Sequence, residues 1–272
     1  MKNSRDSVVA YLFPTRHADL IWQFAAREVK ARYRQSWLGT SWVVITPLMM
    51  VLVFTFVFQF VFKARWPDQD SADGLGFALR LYAGLAVFNF FSECLSRAPR
   101  LVLDQPHLVK KVVFPIEILP WVNTLAAMVQ LLVGCVLLLA LNWLDSGSLP
   151  VSAISLPLVW LPLVPLCVGL GWLCASIGTY VRDLSQIIAP LLSFLMFLSP
   201  IFYPLQALPA AIRPWAMLNP LALPISLTRD VLISGLWPHW VAWSLHLLGC
   251  LLVAALGAAF FQLVRRGFAD VV

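Results

Sequence analysis

The run from Ser41 to Phe62 carries no charged side chain, and as a helix it would extend about 33 Å, enough to cross a bilayer. Five more apolar segments follow, placing spans at 41–62, 77–96, 116–141, 156–180, 184–203 and 240–264. Hydrophobic residues make up 61% of the chain and charged residues 12%, against roughly 25% charged in an average soluble domain. A soluble fold of this size could not hide so much apolar surface, because a large share of any folded surface stays wet. The expected fold is an all-α integral membrane protein of six transmembrane helices, a single transmembrane domain over 1–272.

The connecting segments set its orientation. Residues 1–40, 97–115, Arg182, and Arg265 with Arg266 carry fourteen of the nineteen Lys and Arg, and the other side carries Lys63, Arg65, Arg80, Arg213 and Arg229. The richer side is cytoplasmic by the positive-inside rule, so both termini are expected there. The net charge of +6 is thereby explained as topology and calls for no nucleic-acid partner. The first apolar run follows about forty basic residues and has no cleavable leader pattern, so that segment is expected to stay inside. No internal repeat relates the two halves.

Between the fifth and sixth spans, residues 204–238 hold six prolines and apolar runs too short to cross. Runs of 10–14 residues are re-entrant or interfacial more often than spanning, so two half-helices dipping in from the periplasmic face are predicted, with Ile225 to Leu236 the better one. Near the N-terminus, Asp19 to Trp37 contains no Pro or Gly and reads as an amphipathic helix capped by Asp19. Gln23, Arg27, Lys30 and Arg34 form one stripe, Ile21, Trp22, Ala25 and Val29 lie roughly opposite, and Glu28 and Arg32 are spaced to pair at i,i+4. Such a helix either rests on the membrane alone or also presents charge to a partner. The segment Ser96 to Pro115, SRAPRLVLDQPHLVKKVVFP, is longer than a chain reversal needs. It reads as a docking element or as a solvated basic loop.

Catalytic chemistry has little to stand on. There is no G-x-x-x-x-G-K-[ST], no H-E-x-x-H and no Cys/His cluster, so no metal site is predicted. Cys94, Cys135, Cys167, Cys174 and Cys250 lie in or at the ends of spans, form no CxxC pair, and read as packing residues. None of the thirteen carboxylates falls near mid-span. Glu93, Glu117 and Asp183 sit at cytoplasmic helix ends, and His246 is the one ionisable group at depth. An ion-coupled carrier needs charge there, and a membrane transferase needs a convergent acid/base or metal set. Energy for uphill transport would have to come from a partner.

Several stretches carry a family resemblance: REVKARYRQSWLGTSWVVITPLMMVLVFTFVFQFVF (Arg27 to Phe62), LVKKVVFPIEILP (Leu108 to Pro120), RDLSQIIAPLLSFLMFLSPIFY (Arg182 to Tyr203), MLNPL (Met217 to Leu221) and the final RRGFAD. In this order, over nearly the whole chain, they resemble the permease subunits of bacterial ABC exporters for O-antigen, capsule and teichoic acid. The resemblance implies a homodimer in the inner membrane with two copies of a separate ATP-binding subunit docked below. That subunit would bind ATP and Mg, and this chain no cofactor. It implies an interface or gate helix at Arg27, Glu28, Lys30, Arg32, Tyr33 and Arg34 that meets an anionic headgroup, and a coupling helix around Gln105, His107, Leu108, Lys110 and Lys111. Phe54, Phe58, Phe88, Phe197 and Tyr203 are candidate channel-lining aromatics for a lipid-linked polysaccharide, although packing against lipid or a neighbouring helix explains the same aromatics and is the favoured reading for each. Export of a small lipid or drug by the same architecture stays open.

Overall fold

A computed structural model of the chain describes residues 11–33, 39–61, 66, 74–109, 114–209, 211 and 213–271, and among these residues it contains helices and no strand. The helices are α1 (Ala18–Tyr33), α2 (Trp42–Thr55, continued by a π-helical stretch Phe56–Val61), α3 (Gly74–Arg97), α4 (Pro106–Val109), α5 (Leu119–Ser146), α6 (Leu156–Trp160), α7 (Leu163–Tyr180), α8 (Leu184–Leu198), α9 (Arg213–Met217), α10 (Ala222–Leu232), α11 (Trp240–Val264) and α12 (Phe268–Val271). Among the described residues, five segments are long and apolar enough to cross a membrane: Trp42–Gln59, Leu75–Arg100, Ile116–Ser146, Val151–Tyr180 and Trp240–Gly267.

The expected fifth span is shorter than the sequence suggested. α8 has 15 residues and rises about 22 Å. It stops at Leu198 because Ser199 precedes Pro200, and a residue before proline is pushed out of the helical region. Ser199 accordingly has φ −77° and ψ 146°. The better half-helix also lies earlier than expected, at Ala222–Leu232. Pro224 sits in its first turn, where no intrahelical N–H is needed.

α3 is the centre of the bundle. Of its apolar stretch 78% is buried, against 17% for the first span, and it packs against α2, α5, α7, α8 and α10. Large side chains from all round it, including Phe77, Leu81, Tyr82, Phe88, Phe90 and Phe91, belong to one core. α7 and α11 cross closely because Gly169 faces Ala254. A Cβ at Gly169 would stand 2.5 Å from the Ala254 Cα, so a small residue permits the approach that dispersion then stabilises. α5 ends with Gly147 in the left-handed region at φ 69°, its N–H donating to the Trp143 carbonyl, a glycine C-cap.

Tyr11, the first described residue, meets the start of α5 and the segment after α11. Trp121 Nε1 donates to the Tyr11 carbonyl at 3.0 Å. The Arg265 guanidinium donates to the Tyr11 hydroxyl and lies 3.7 Å from the Glu117 carboxylate. Tyr11, Trp172, Phe261 and Phe268 are buried together beneath this clasp.

At the opposite end, side chains pair the irregular backbone between α8 and α11. The Arg229 side chain, in a residue 9% exposed, donates to the carbonyls of Arg80 (2.9 Å), Pro200 (2.6 Å) and Ile201 (2.7 Å) and lies over the Trp66 ring. Asn219 donates to the Ser199 hydroxyl at 2.8 Å, Asn142 to the Leu232 carbonyl at 2.5 Å, and Ser152 to the Val231 carbonyl at 2.7 Å. Buried non-helical backbone needs such partners, because an unpaired buried carbonyl or amide is costly. Replacing Arg229 with Met, which keeps the stem and removes the donors, should cost about 3 kcal/mol or more, since each orphaned buried carbonyl costs about 1 kcal/mol at least. Thermal denaturation of the detergent-purified variant followed by size exclusion checks this; an unchanged midpoint would remove Arg229 from its supporting role.

Candidate functional site beside α1

α1 begins at Ala18, so Asp19 lies within its first turn, where its charge favours the helix N-terminus, and does not cap it as the sequence suggested. Ile21 and Ala25 are buried against Ile118 and Val122, and the Phe24 ring packs 5.5 Å from that of Phe114. The outward face carries Gln23, Arg27 and Lys30, with the Arg27 guanidinium 4.4 Å over the Phe24 ring. Trp22 departs from the predicted apolar face: it is 70% exposed, because the stripe that packs on α5 is narrow and Trp22 falls beside it. An exposed Trp beside cationic residues is the composition of a membrane–water interface.

The predicted internal Glu28–Arg32 pair is replaced by contacts to α3. Glu28 Oε1 accepts from Arg97 Nη1 at 2.5 Å, and Arg32 Nη2 lies 2.9 Å from Glu93 Oε1. Arg97 Nε also lies 3.0 Å from Glu93 Oε1, one turn back on the same helix. Tertiary partners win here because α1 runs beside the end of α3 with the two helices' charges in antiparallel register. Glu93 and Arg97, which the sequence reading placed only by topology, turn out to be the partners of the predicted helix. Their i,i+4 spacing at a span end was the available signal.

Beyond Arg97 the chain makes one 3-10 turn, Ala98–Arg100, with buried Pro99 against Gly178. Asp104 N–H donates to the Arg100 carbonyl at 2.9 Å and Gln105 N–H to the Val102 carbonyl at 3.2 Å, which leads tightly into α4. Within α4 Leu108 is buried at 8%, while Pro106 and His107 face outward. A cavity of about 410 Å³ opens between α1, this turn and the start of α5, lined by Arg27, Glu28, Arg97, Arg100, Asp104, Gln105, Asn123 and Ser185 among others. Arg100 reaches the Ser185 hydroxyl at 3.4 Å, and Asn123 donates to the Cys94 carbonyl at 2.9 Å. The structure thus brings Arg27, Glu28 and Gln105 of the predicted site to one cavity. Leu108 anchors α4, and Arg32 joins through its ion pair. Arg34, Lys110 and Lys111 lie outside the described residues, as does the side chain of Tyr33. Among the described residues, no group of three or more His, Cys, Asp or Glu is placed to hold a metal.

The predicted aromatics lie mostly at the other end. Phe202, passed over in the sequence, is their hub: Phe58 stacks on it at 4.5 Å, Phe54 lies at 5.3 Å and Phe197 at 5.6 Å. Its place between Phe197 and Tyr203 in LSPIFY was a usable cue. The Tyr203 hydroxyl reaches the carbonyls of Phe197 and Leu198, each at 3.0 Å. Phe88 stands apart from this group, in the central core at 5% exposure, and presents no face to a channel in this conformation.

The profile of ABC-2 type transporters matches residues 19–233. The chain belongs to the ABC-2 type transporter family. Among its relatives, the O-antigen export system permease protein RfbA of Klebsiella pneumoniae is 22% identical over 97% of this chain and 96% of its own length. The protein of the same name from Myxococcus xanthus is 28% identical over 70% of each chain, and the polysialic acid transport protein KpsM of Escherichia coli 23% identical over 87% of this chain and 90% of its own. The stretch matched to the family begins in the first turn of α1 and ends just past α10, so it includes both walls of the cavity. For an ABC-2 protein with this geometry, a cysteine at His107 should react fully with a membrane-impermeant maleimide applied to the face bearing the termini. One at Leu108 should react at least about tenfold more slowly, in keeping with local opening of a buried contact. Equal rates would mean that α4 is not seated as described.

Proposed function

We propose that this protein is the membrane-spanning subunit of an ATP-driven exporter that moves lipid-linked polysaccharide, of O-antigen type, from the cytoplasm across the inner membrane. The observation that carries this reading is the match to O-antigen permeases along nearly the whole of both chains. The cavity formed where α1 meets the turn before α4 supports it. Both termini are cytoplasmic in this reading, as the concentration of Lys and Arg at their end of the bundle requires. α8 makes the fifth of six crossings in this reading, with a re-entrant periplasmic segment between it and α11, the sixth.

A homodimer then carries two copies of an ATP-binding subunit that supplies ATP and Mg; this chain needs no cofactor and performs no hydrolysis. Gln105, His107, Leu108, Lys110 and Lys111 form the coupling element, with Leu108 as its root and His107 at its outer face. Arg27, Lys30 and Arg34 meet the anionic headgroup of the cargo. Closure of the ATP-binding subunits pushes on α4 and tilts packed helices as bodies, widening a path between subunits that Phe54, Phe58, Phe197 and Tyr203 line for sliding sugar rings. Phe88 takes part only if that motion uncovers it.

Purification from native membranes should bring down a P-loop ATPase in one-to-one ratio, and a deletion strain should lose a surface glycan. Changing Arg27, Lys30 and Arg34 together to Gln should weaken headgroup attraction about a hundredfold, at about 1 kcal/mol per basic residue near the membrane surface. Export should fall with the ATPase still bound. Unchanged export would take the headgroup role from these residues, and a clean preparation lacking any ATPase would remove the transporter reading itself.

A further inference from the structure

The two halves of α1 are held by different forces. Its N-terminal half is greased against α5 by Ile21 and Ala25, a contact indifferent to salt and tolerant of small rotations. Its C-terminal half is held to α3 by the ladder Arg32–Glu93–Arg97–Glu28, with separations of 2.9, 3.0 and 2.5 Å. The ladder is neutral as a whole and grows more exposed outward: side-chain exposure is 15% at Arg32, 26% at Glu93, 38% at Arg97 and 41% at Glu28. Half-exposed pairs of this kind are individually weak and screened by salt, so the outer rung is the easiest to part. Arg97 is also the last residue of α3, and a tight hydrogen-bonded turn joins it to Gln105 and α4. The cavity beside it leaves α1 room to move.

We propose that Glu28, Arg32, Glu93 and Arg97 are a releasable ionic latch: the apolar half of α1 is the pivot, and force arriving through the turn after Arg97 parts the rungs from the outside inward. This rests on the exporter reading above, since that force is the partner ATPase's. Glu28 and Arg97 are positioning residues in this scheme. They set where α1 stands, and through it where Arg27 and Lys30 point, without touching cargo. A latch, unlike a static strut, has to open once per cycle. Its weakening should therefore speed idle cycling, and its locking should stop it.

The test uses the purified complex with its ATP-binding subunit. In Glu28→Gln, hydrolysis without cargo should rise about two- to fivefold, the population change that loss of one exposed rung produces; in Arg97→Gln, which loses the rungs to both Glu28 and Glu93, it should rise at least as much, and Arg97→Lys should return it toward the starting rate. Raising the salt should speed the unaltered complex and have less effect on Glu28→Gln, whose outer rung is already gone. In Glu28→Cys combined with Arg97→Cys, bridging by a reducible bis-methanethiosulfonate should cut hydrolysis at least fivefold and reductant should restore it, with the single-cysteine variants as controls. Bridged complex that hydrolyses at the unbridged rate, or Gln variants matching the parent with ATPase bound, would overturn the latch alone. Absence of any ATPase from the parent preparation would instead overturn the exporter reading on which the latch rests.

Discussion

A buried backbone N–H or C=O that no water reaches must be paired by the protein itself. The long helices among the described residues meet this condition by their own periodicity. The stretch between α8 and α11 cannot, because its prolines remove donors and break the ladder. There the chain uses side chains instead: Arg229 takes three carbonyls, and Asn219, Asn142 and Ser152 take further partners. Because Arg229 joins the start of α3, the end of α8 and α10, the same contacts that satisfy the backbone also weld the far end of the bundle to its central helix.

The opposite end follows a different logic. Here the charged side chains are partly exposed, and contacts are made of such charge and short turns. Arg265 clasps Tyr11 and Glu117, and the carboxylates and guanidiniums of α1 and α3 interleave. One end of the molecule is thus stiff because its polar groups are buried, and the other adjustable because its charges are not. α3, buried along most of its length, connects them.

Much of this was legible in the chain itself. Long apolar runs announce helices, and the limits of α11 and the general course of α3, α5 and α7 followed from hydropathy alone. α8 was read too long because hydropathy continues past Leu198 through Ile201 and Phe202, whereas the backbone obeys Pro200. The pairing of Glu28 with Arg32 was a sound local inference, lost because α3 supplies partners that no window of α1 contains. Trp22 and Phe88 show the same gap from the other direction. An amphipathic wheel reports which side is apolar, and only the packing of neighbours decides whether a ring on it ends up wet or enclosed. Of the candidate site, the residues on α1 and Gln105 follow from pattern and resemblance. The i,i+4 spacing of Glu93 and Arg97 was a local cue, whereas the reach of Arg100 to Ser185 is visible only in the tertiary structure.

The shortness of α8 has an elastic consequence in the six-span reading. Its exposed Ile187, Leu191 and Phe194 would offer acyl chains a wall of about 22 Å, while an unstressed bilayer core is about 30 Å thick. Lipids against that wall must thin or tilt, at a fraction of a kcal/mol for each ångström of mismatch. The neighbouring helices are long enough to leave the bilayer at rest. The deformation is therefore one-sided, a dimple in the membrane beside α8, and two such walls set face to face would relieve it.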